Sequence, residues 1–134
     1  MKKLNQTAIK SLNTILQSAK DGKLKAIDHG RCMYYDKEYD RFCAIGCLLS
    51  HRMIRELIDE GCNKSTSARE LYEAYPSMPR ITGLSIEDAM VVQELHDLWA
   101  GGSLEKRQFV AKIQGVLDNR LTFDQLRAFI QKYD

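Results

Sequence analysis

Four cysteines and three histidines hold most of the nucleophilic and metal-binding capacity of this chain: Cys32, Cys43, Cys47 and Cys62, with His29, His51 and His96. Cys43 and Cys47 are four residues apart, a spacing that puts both on one helix face. His51 continues that row, and Cys32 could approach it from a neighbouring segment. Cys32, Cys43 and Cys47 are thus the sulfur set a zinc ion would take. The spacing is C-x3-C with no second short pair, so the paired signature of zinc modules is missing. Buried free cysteine otherwise behaves as a small hydrophobe. The sequence therefore assigns no metal, and no cofactor is expected.

Cys43 has a second potential use. At the start of a helix, backbone amides and the macrodipole would lower its thiol pKa. A cysteine-dependent hydrolase or transferase also needs a histidine base within hydrogen-bond reach. His51 lies about 12 Å along the same helix, which leaves His96 or His29 for that role. A different arrangement is the histidine, His-Asp pair and distant aspartate of HD-type metal phosphohydrolases. His51, His96-Asp97 and Asp118 or Asp124 occur in that order, without the supporting acidic and lysine residues of such sites. Between Leu95 and Leu98, the ordinary reading of His96 is a packed, hydrogen-bonded histidine. No phosphate loop, dinucleotide fingerprint, nucleophile elbow or zincin motif is present. The balance leans away from an enzyme.

Aromatic residues point instead to binding. Tyr34, Tyr35, Tyr39 and Phe42 cluster in one short stretch, with Arg31 and Arg41 beside them, and Tyr72 and Tyr75 precede a proline-rich segment that carries Arg80. Tyrosine and arginine are the residues that anchor protein interfaces. Tyr34, Tyr35, Tyr39, Arg41 and Arg80 are accordingly the expected contacts with a protein partner.

The elements that must position these groups follow from periodicity. Leu4, Ala8, Leu12, Ile15, Leu16 and Ala19 recur at helical spacing and stop before Gly22. Cys32–Tyr35 and Tyr39–Phe42, separated by Asp36-Lys37-Glu38, read as a small β-hairpin that must lean on helices. From Cys43 to Gly61 a wide apolar arc reads as a central buried helix. Gly46 inside it calls for a close neighbour, expected to be a crossing helix. Ser67-Ala68-Arg69-Glu70 has capping-box spacing and opens a short helix closed by Pro76. Residues 76–83 hold both prolines and a glycine, and read as the longest loop and most mobile surface. Further helices start at Ser85, Ser103 and Thr122. The expected fold is a mainly α single domain over residues 1–134, a compact bundle of five to six helices with one small hairpin before the central helix.

Composition sets the outer bounds. Twenty basic and 18 acidic residues give a net charge of +2, no case for a concentrated nucleic-acid-binding face. Lys2, Lys3, Lys10, Lys20, Lys23 and Lys25 do crowd the N-terminal quarter, where they read as a solvated helix face. Met1-Lys2-Lys3 begins like a signal peptide but no apolar h-region follows. No stretch approaches the roughly 20 apolar residues of a membrane span. An intracellular, cytoplasmic protein with reduced thiols is expected.

The run Arg41-Phe42-Cys43-Ala44-Ile45-Gly46-Cys47-Leu48-Leu49 is followed by Val92-Gln93-Glu94-Leu95-His96-Asp97 and Phe109-Val110-Ala111-Lys112-Ile113. Together they resemble a group of small phage and mobile-element proteins. That group has a C-A-[IL]-G-x-L helix start, a later L-x-x-[LH]-[ND] helix and an F-x-x-I-A-type helix. The resemblance spans about half the chain, and His96-Asp97 stands where Asn-Asp is common in the group. It implies a phage or bacterial setting, hence a host cytoplasm, and transfers no functional residue. Combined with the tyrosine–arginine cluster, it gives the expectation of an interaction protein that modulates a host or partner protein.

Overall fold

A computed structural model describes residues 4–28, 31–64 and 66–133, with backbone only at Asp28, Arg31 and Cys32. His29 and the side chain of Cys32 fall outside the described residues. Side-chain caps fix most helix starts. Asn5 accepts from the Ala8 amide at 2.7 Å and opens α1 (Gln6–Lys20). Ser50, Ser67, Ser85 and Thr122 do the same for α2 (His51–Asp59), α3 (Ala68–Ala74), α5 (Ile86–Ala100) and α7 (Phe123–Gln131). Each cap satisfies one of the orphan amides of a first turn. The reciprocal boxes Ser67–Glu70 and Thr122–Gln125 are both formed. α6 (Lys106–Leu117) starts two residues later than Ser103 suggests, because Gln108 closes a box with Glu105 instead. α4 is the short Met78–Thr82.

Two short antiparallel ladders precede α2. β1 (Ile27–Asp28) pairs with β2 (Arg31–Cys32), and β3 (Tyr35–Asp36) pairs with β4 (Arg41–Phe42). The second ladder is the hairpin the sequence indicates, and the architecture is a mainly helical bundle carrying it. A ladder two residues long cannot stand alone, and this one is bonded on both outer edges. Phe42 donates to the Lys23 carbonyl at 2.7 Å and accepts from Ala26 at 3.2 Å. On the other edge the Asn63 side chain takes the Tyr35 amide at 3.0 Å and donates to the Tyr35 carbonyl at 2.8 Å, in place of a third strand.

The central helix does not begin at Cys43. Residues 43–49 form a tight turn with a 3₁₀ segment at Gly46–Leu48, Leu49 is extended, and α2 starts only after Ser50. The Cys43 sulfur accepts from the Gly46 amide at 3.2 Å, and its carbonyl from Cys47 at 3.1 Å. The nearly continuous apolar run arises because Cys43, Ala44 and Ile45 are enclosed on every side. Gly46 does have a close neighbour, but that neighbour is the Tyr34 main chain. A Cβ at Gly46 would overlap the Tyr34 carbonyl oxygen.

Residues 76–83 are not a mobile loop either. Pro79 sits in the first turn of α4, where no amide donor is required, and Gly83 caps it at φ +74°. Met78 and Thr82 are fully buried. The Thr82 hydroxyl meets Tyr72 Oη at 2.6 Å, and its carbonyl accepts from Ser11 Oγ at 2.7 Å, so the segment is pinned to α1 and α3. The core runs continuously through Leu12, Ile15, Leu57, Leu95, Phe109 and Ile113, with α1 packed on α6 and α5 on α3 and α7. No described helix is long and apolar enough to cross a membrane.

The Gly46 contact has a measurable consequence. Gly46→Ala is expected to cost about 3 kcal/mol, the upper range for forcing a group into a filled site. Gly22→Ala meets open space at φ +70° and should cost only about 1 kcal/mol of backbone strain. Urea unfolding of both variants checks this. Equal losses would mean that the Tyr34 approach is not what makes position 46 a glycine.

Candidate functional site

Cys43, Cys47 and His96 are held by bonds within the fold. Cys43 is fully buried and precedes a 3₁₀ turn rather than sitting in the first turn of an α-helix. Its sulfur accepts the Gly46 amide and has no α-helical first turn behind it. Cys47 donates to the Ala44 carbonyl at 3.1 Å, and burial pushes its thiol up to about 12. At neutral pH it is a protonated thiol, poor both as nucleophile and as metal ligand. Among the described residues no three His, Cys, Asp or Glu side chains converge as a metal site would need.

His96 is fully buried in α5, and its hydrogen bonds define its tautomer. Nε2 accepts the Lys25 amide at 2.9 Å, which requires the proton on Nδ1, 3.1 Å from Asp97 Oδ1. The same oxygen accepts from Gln93 Nε2 at 2.8 Å, and Gln93 Oε1 accepts from the Ile45 amide at 3.3 Å. Trp99 and Phe109 stand edge-on to the imidazole at 6.1 and 6.3 Å. A polar thread thus runs from Lys25 through His96, Asp97 and Gln93 to Ile45. It ties the segment between α1 and β1, and the Cys43 turn, to α5. With both ring nitrogens committed, His96 offers Cys43 no base and a metal no lone pair. His51, its expected companion in an HD arrangement, is exposed at the first position of α2.

The binding residues divide differently from the sequence expectation. Tyr34 is fully buried, a core ring that cannot touch a partner; it lies in the bend between β2 and β3, beside the buried Met33. Arg80 is exposed on α4, an element packed against α1 and α3, and is not part of the hairpin. Tyr35, Tyr39 and Arg41 do come together. Tyr35 is half-buried with its ring 4.8 Å from Phe42. Tyr39 is 63% exposed, and the Arg41 guanidinium lies 5.6 Å from its ring centroid.

Asp40 braces this tip. It adopts φ +51°, a conformation aspartate tolerates better than most residues. Its carboxylate meets Lys23 Nζ at 2.6 Å and accepts from Tyr35 Oη at 2.9 Å. The Lys23 and Tyr35 bonds hold the Asp40 carboxyl below its usual range, and the same carboxylate raises both Lys23 and Tyr35. Asp36 Oδ1 accepts the Glu38 amide at 3.0 Å and closes the turn from within. Asp40 and Asn63 were not among the residues the sequence singles out, and Lys23 was read only as part of a solvated lysine face. The expected turn, Asp36-Lys37-Glu38, stops short of the observed one, which runs over residues 37–40 and includes Asp40.

A separate cleft of about 590 Å³ opens where α1 begins and the α4–α5 and α6–α7 junctions meet. Leu4, Leu84, Leu121 and Phe123 line it, with Asp88 and Asp124 at its polar side. Of the candidate site residues only Asp124 reaches it, and its carboxylate is 3.3 Å from Arg127. No protein-family model, curated protein or solved structure matches the chain.

Two titrations test this geometry. Asp40→Asn preserves the backbone preference and removes the charge that retains the Tyr35 proton, so the Tyr35 phenol should fall toward its ordinary value near 10.0. Ring resonances followed by NMR against pH report it, and an unmoved Tyr35 would contradict the bond. For Cys47 the folded thiol keeps its proton to about 12, while the unfolded thiol loses it near 9.0. The native state then binds more protons across that window, so its stability must decline as pH rises through it. Cys47→Ala should flatten that decline in urea titrations, and an identical slope in both proteins would rule the buried thiol out as its source.

Proposed function

We propose that this chain is a small binding protein that docks on a partner protein through the tip of its β3–β4 hairpin, in the cytoplasm of a bacterial host. The observation that carries the reading is the tip itself. Tyr39 projects 63% exposed with the Arg41 guanidinium laid over its ring, on a turn fixed by the Asp40 bonds to Lys23 and Tyr35. Tyrosine and arginine carry a disproportionate share of interface energy. A surface already ordered before binding also loses less conformational entropy on association. The resemblance of the Arg41–Leu49, Val92–Asp97 and Phe109–Ile113 runs to phage and mobile-element proteins suggests the host setting, and a role in modulating a host component is part of the proposal. Cysteine-hydrolase and HD-phosphohydrolase readings gain no support from a buried Cys43 and a doubly bonded His96.

Capture from a bacterial lysate on the immobilised protein, compared across variants, is the test. Tyr39→Ala combined with Arg41→Ala should weaken retention of a saturable partner by roughly thirtyfold, the effect of losing a hot spot. The unfolding free energy should stay within about 0.5 kcal/mol, as for exposed positions generally. Ile81→Ser, on exposed α4, should leave retention unchanged. A partner held equally by the double variant would move the binding surface off the hairpin.

A further inference from the structure

The net charge of +2 hides a segregation of charge. α1 and α6 pack against each other, and neither contains an aspartate or glutamate within its span, although the chain has 18 of them. Their seam holds a groove of about 620 Å³ with Gln6, Lys10, Asn13, Gln17, Lys20 and Gln114 along it, and no carboxylate in its walls. Lys10 and Lys20 are exposed and take part in no ion pair among the described residues. Gln17 donates from its amide nitrogen to Asp21 and Gln114 to Asp118, so those two carboxylates lie just beyond the helix ends and outside the lining of the groove. Fold stability does not require this pattern, because an acidic residue in the first turn of α1 would favour the helix dipole and none is there.

We infer that this groove binds an extended acidic peptide segment of a partner protein, independently of the hairpin tip. The Asn13 amide offers a donor and an acceptor, the pair that an extended peptide backbone presents in return, and Gln17 adds an acceptor. Asn13 and Gln17 are about 6 Å apart along the helix, close to the two-residue repeat of a strand at roughly 6.6 Å. Lys10 and Lys20 stand about 15 Å apart on the same axis, the reach of about five extended residues. The peptide that fits carries two carboxylates four to five positions apart, one for each lysine, with small polar residues between them. Nucleic acid fits less well, since no aromatic ring or arginine lines the groove to stack on bases.

Fluorescence anisotropy with a fluorescein-labelled serine-rich peptide carrying two glutamates five positions apart tests the inference. It should bind at low ionic strength and weaken as salt screens the pairs. Lys10→Glu with Lys20→Glu should reduce affinity at least tenfold. Asn13→Ala with Gln17→Ala should weaken binding at every salt concentration. All four positions are exposed, so unfolding curves should match the parent protein. The inference is overturned by absence of binding, by equal affinity for the glutamine version of the peptide, by indifference to charge reversal, or by preference for oligothymidylate.

Discussion

The main chain of Tyr34 lies so close to Gly46 that any side chain at position 46 would overlap its carbonyl oxygen, and the hairpin's attachment to the bundle depends on that approach. Because the two backbones meet directly, Tyr34 can donate to the Asn63 carbonyl at 3.0 Å while its own carbonyl accepts from Cys43 at 3.3 Å. The turn at Cys43–Leu49 thereby becomes a socket, buried at Cys43–Gly46 and Leu49, with the Cys43 amide bonded to Tyr34, the Ile45 amide to α5 and those of residues 46–49 within the turn. Gln93 and His96 extend the same socket to the opposite edge, since Gln93 holds the Ile45 amide and His96 holds the Lys25 amide. Two ladders of two residues each would otherwise have too few rungs to persist.

This arrangement explains why Cys43, Cys47 and His96 are committed to bonds within the fold while the Tyr39 tip is exposed. A buried polar network is favourable only when every member is satisfied, and His96, Asp97 and Gln93 meet that condition by spending their groups on one another and on backbone. The cysteines follow the same logic, with the Cys43 sulfur used as an acceptor inside the turn and the Cys47 thiol as a donor. Rigidity is then passed outward through Phe42, whose backbone is bonded to Lys23 and Ala26. Lys23 closes the circuit by reaching Asp40 at the tip. The exposed Tyr39–Arg41 pair stands on a scaffold already determined at its base.

Helix boundaries were legible wherever their determinants are local. Ser67 with Glu70, the Thr122 cap, and Gly22 after α1 all act within a few residues, and each is where its spacing indicates. The hairpin was legible too, from aromatic strands around a polar turn. The Cys43–Leu49 run misled because apolar continuity looks the same in a buried helix and in a buried turn, and Ser50 as a cap is visible only once the chain is known to break there. Pro79 misled in the opposite direction, since proline suits a first helical turn as well as a loop. Asn63 and Thr82 were beyond reach, because the groups they bond lie 28 and 71 residues away. Tyr34 could be assigned to the core only once the chain was known to bend between β2 and β3.

Native-state hydrogen exchange tests most directly whether the hairpin is locked to the bundle through this socket. The amides of Tyr34, Tyr35 and Phe42 should exchange only with global unfolding, at the same opening free energy as the buried α5 amides of Val92 and Leu95. Hairpin amides that exchange through a separate, far less costly opening, while α5 remains protected, would contradict the account.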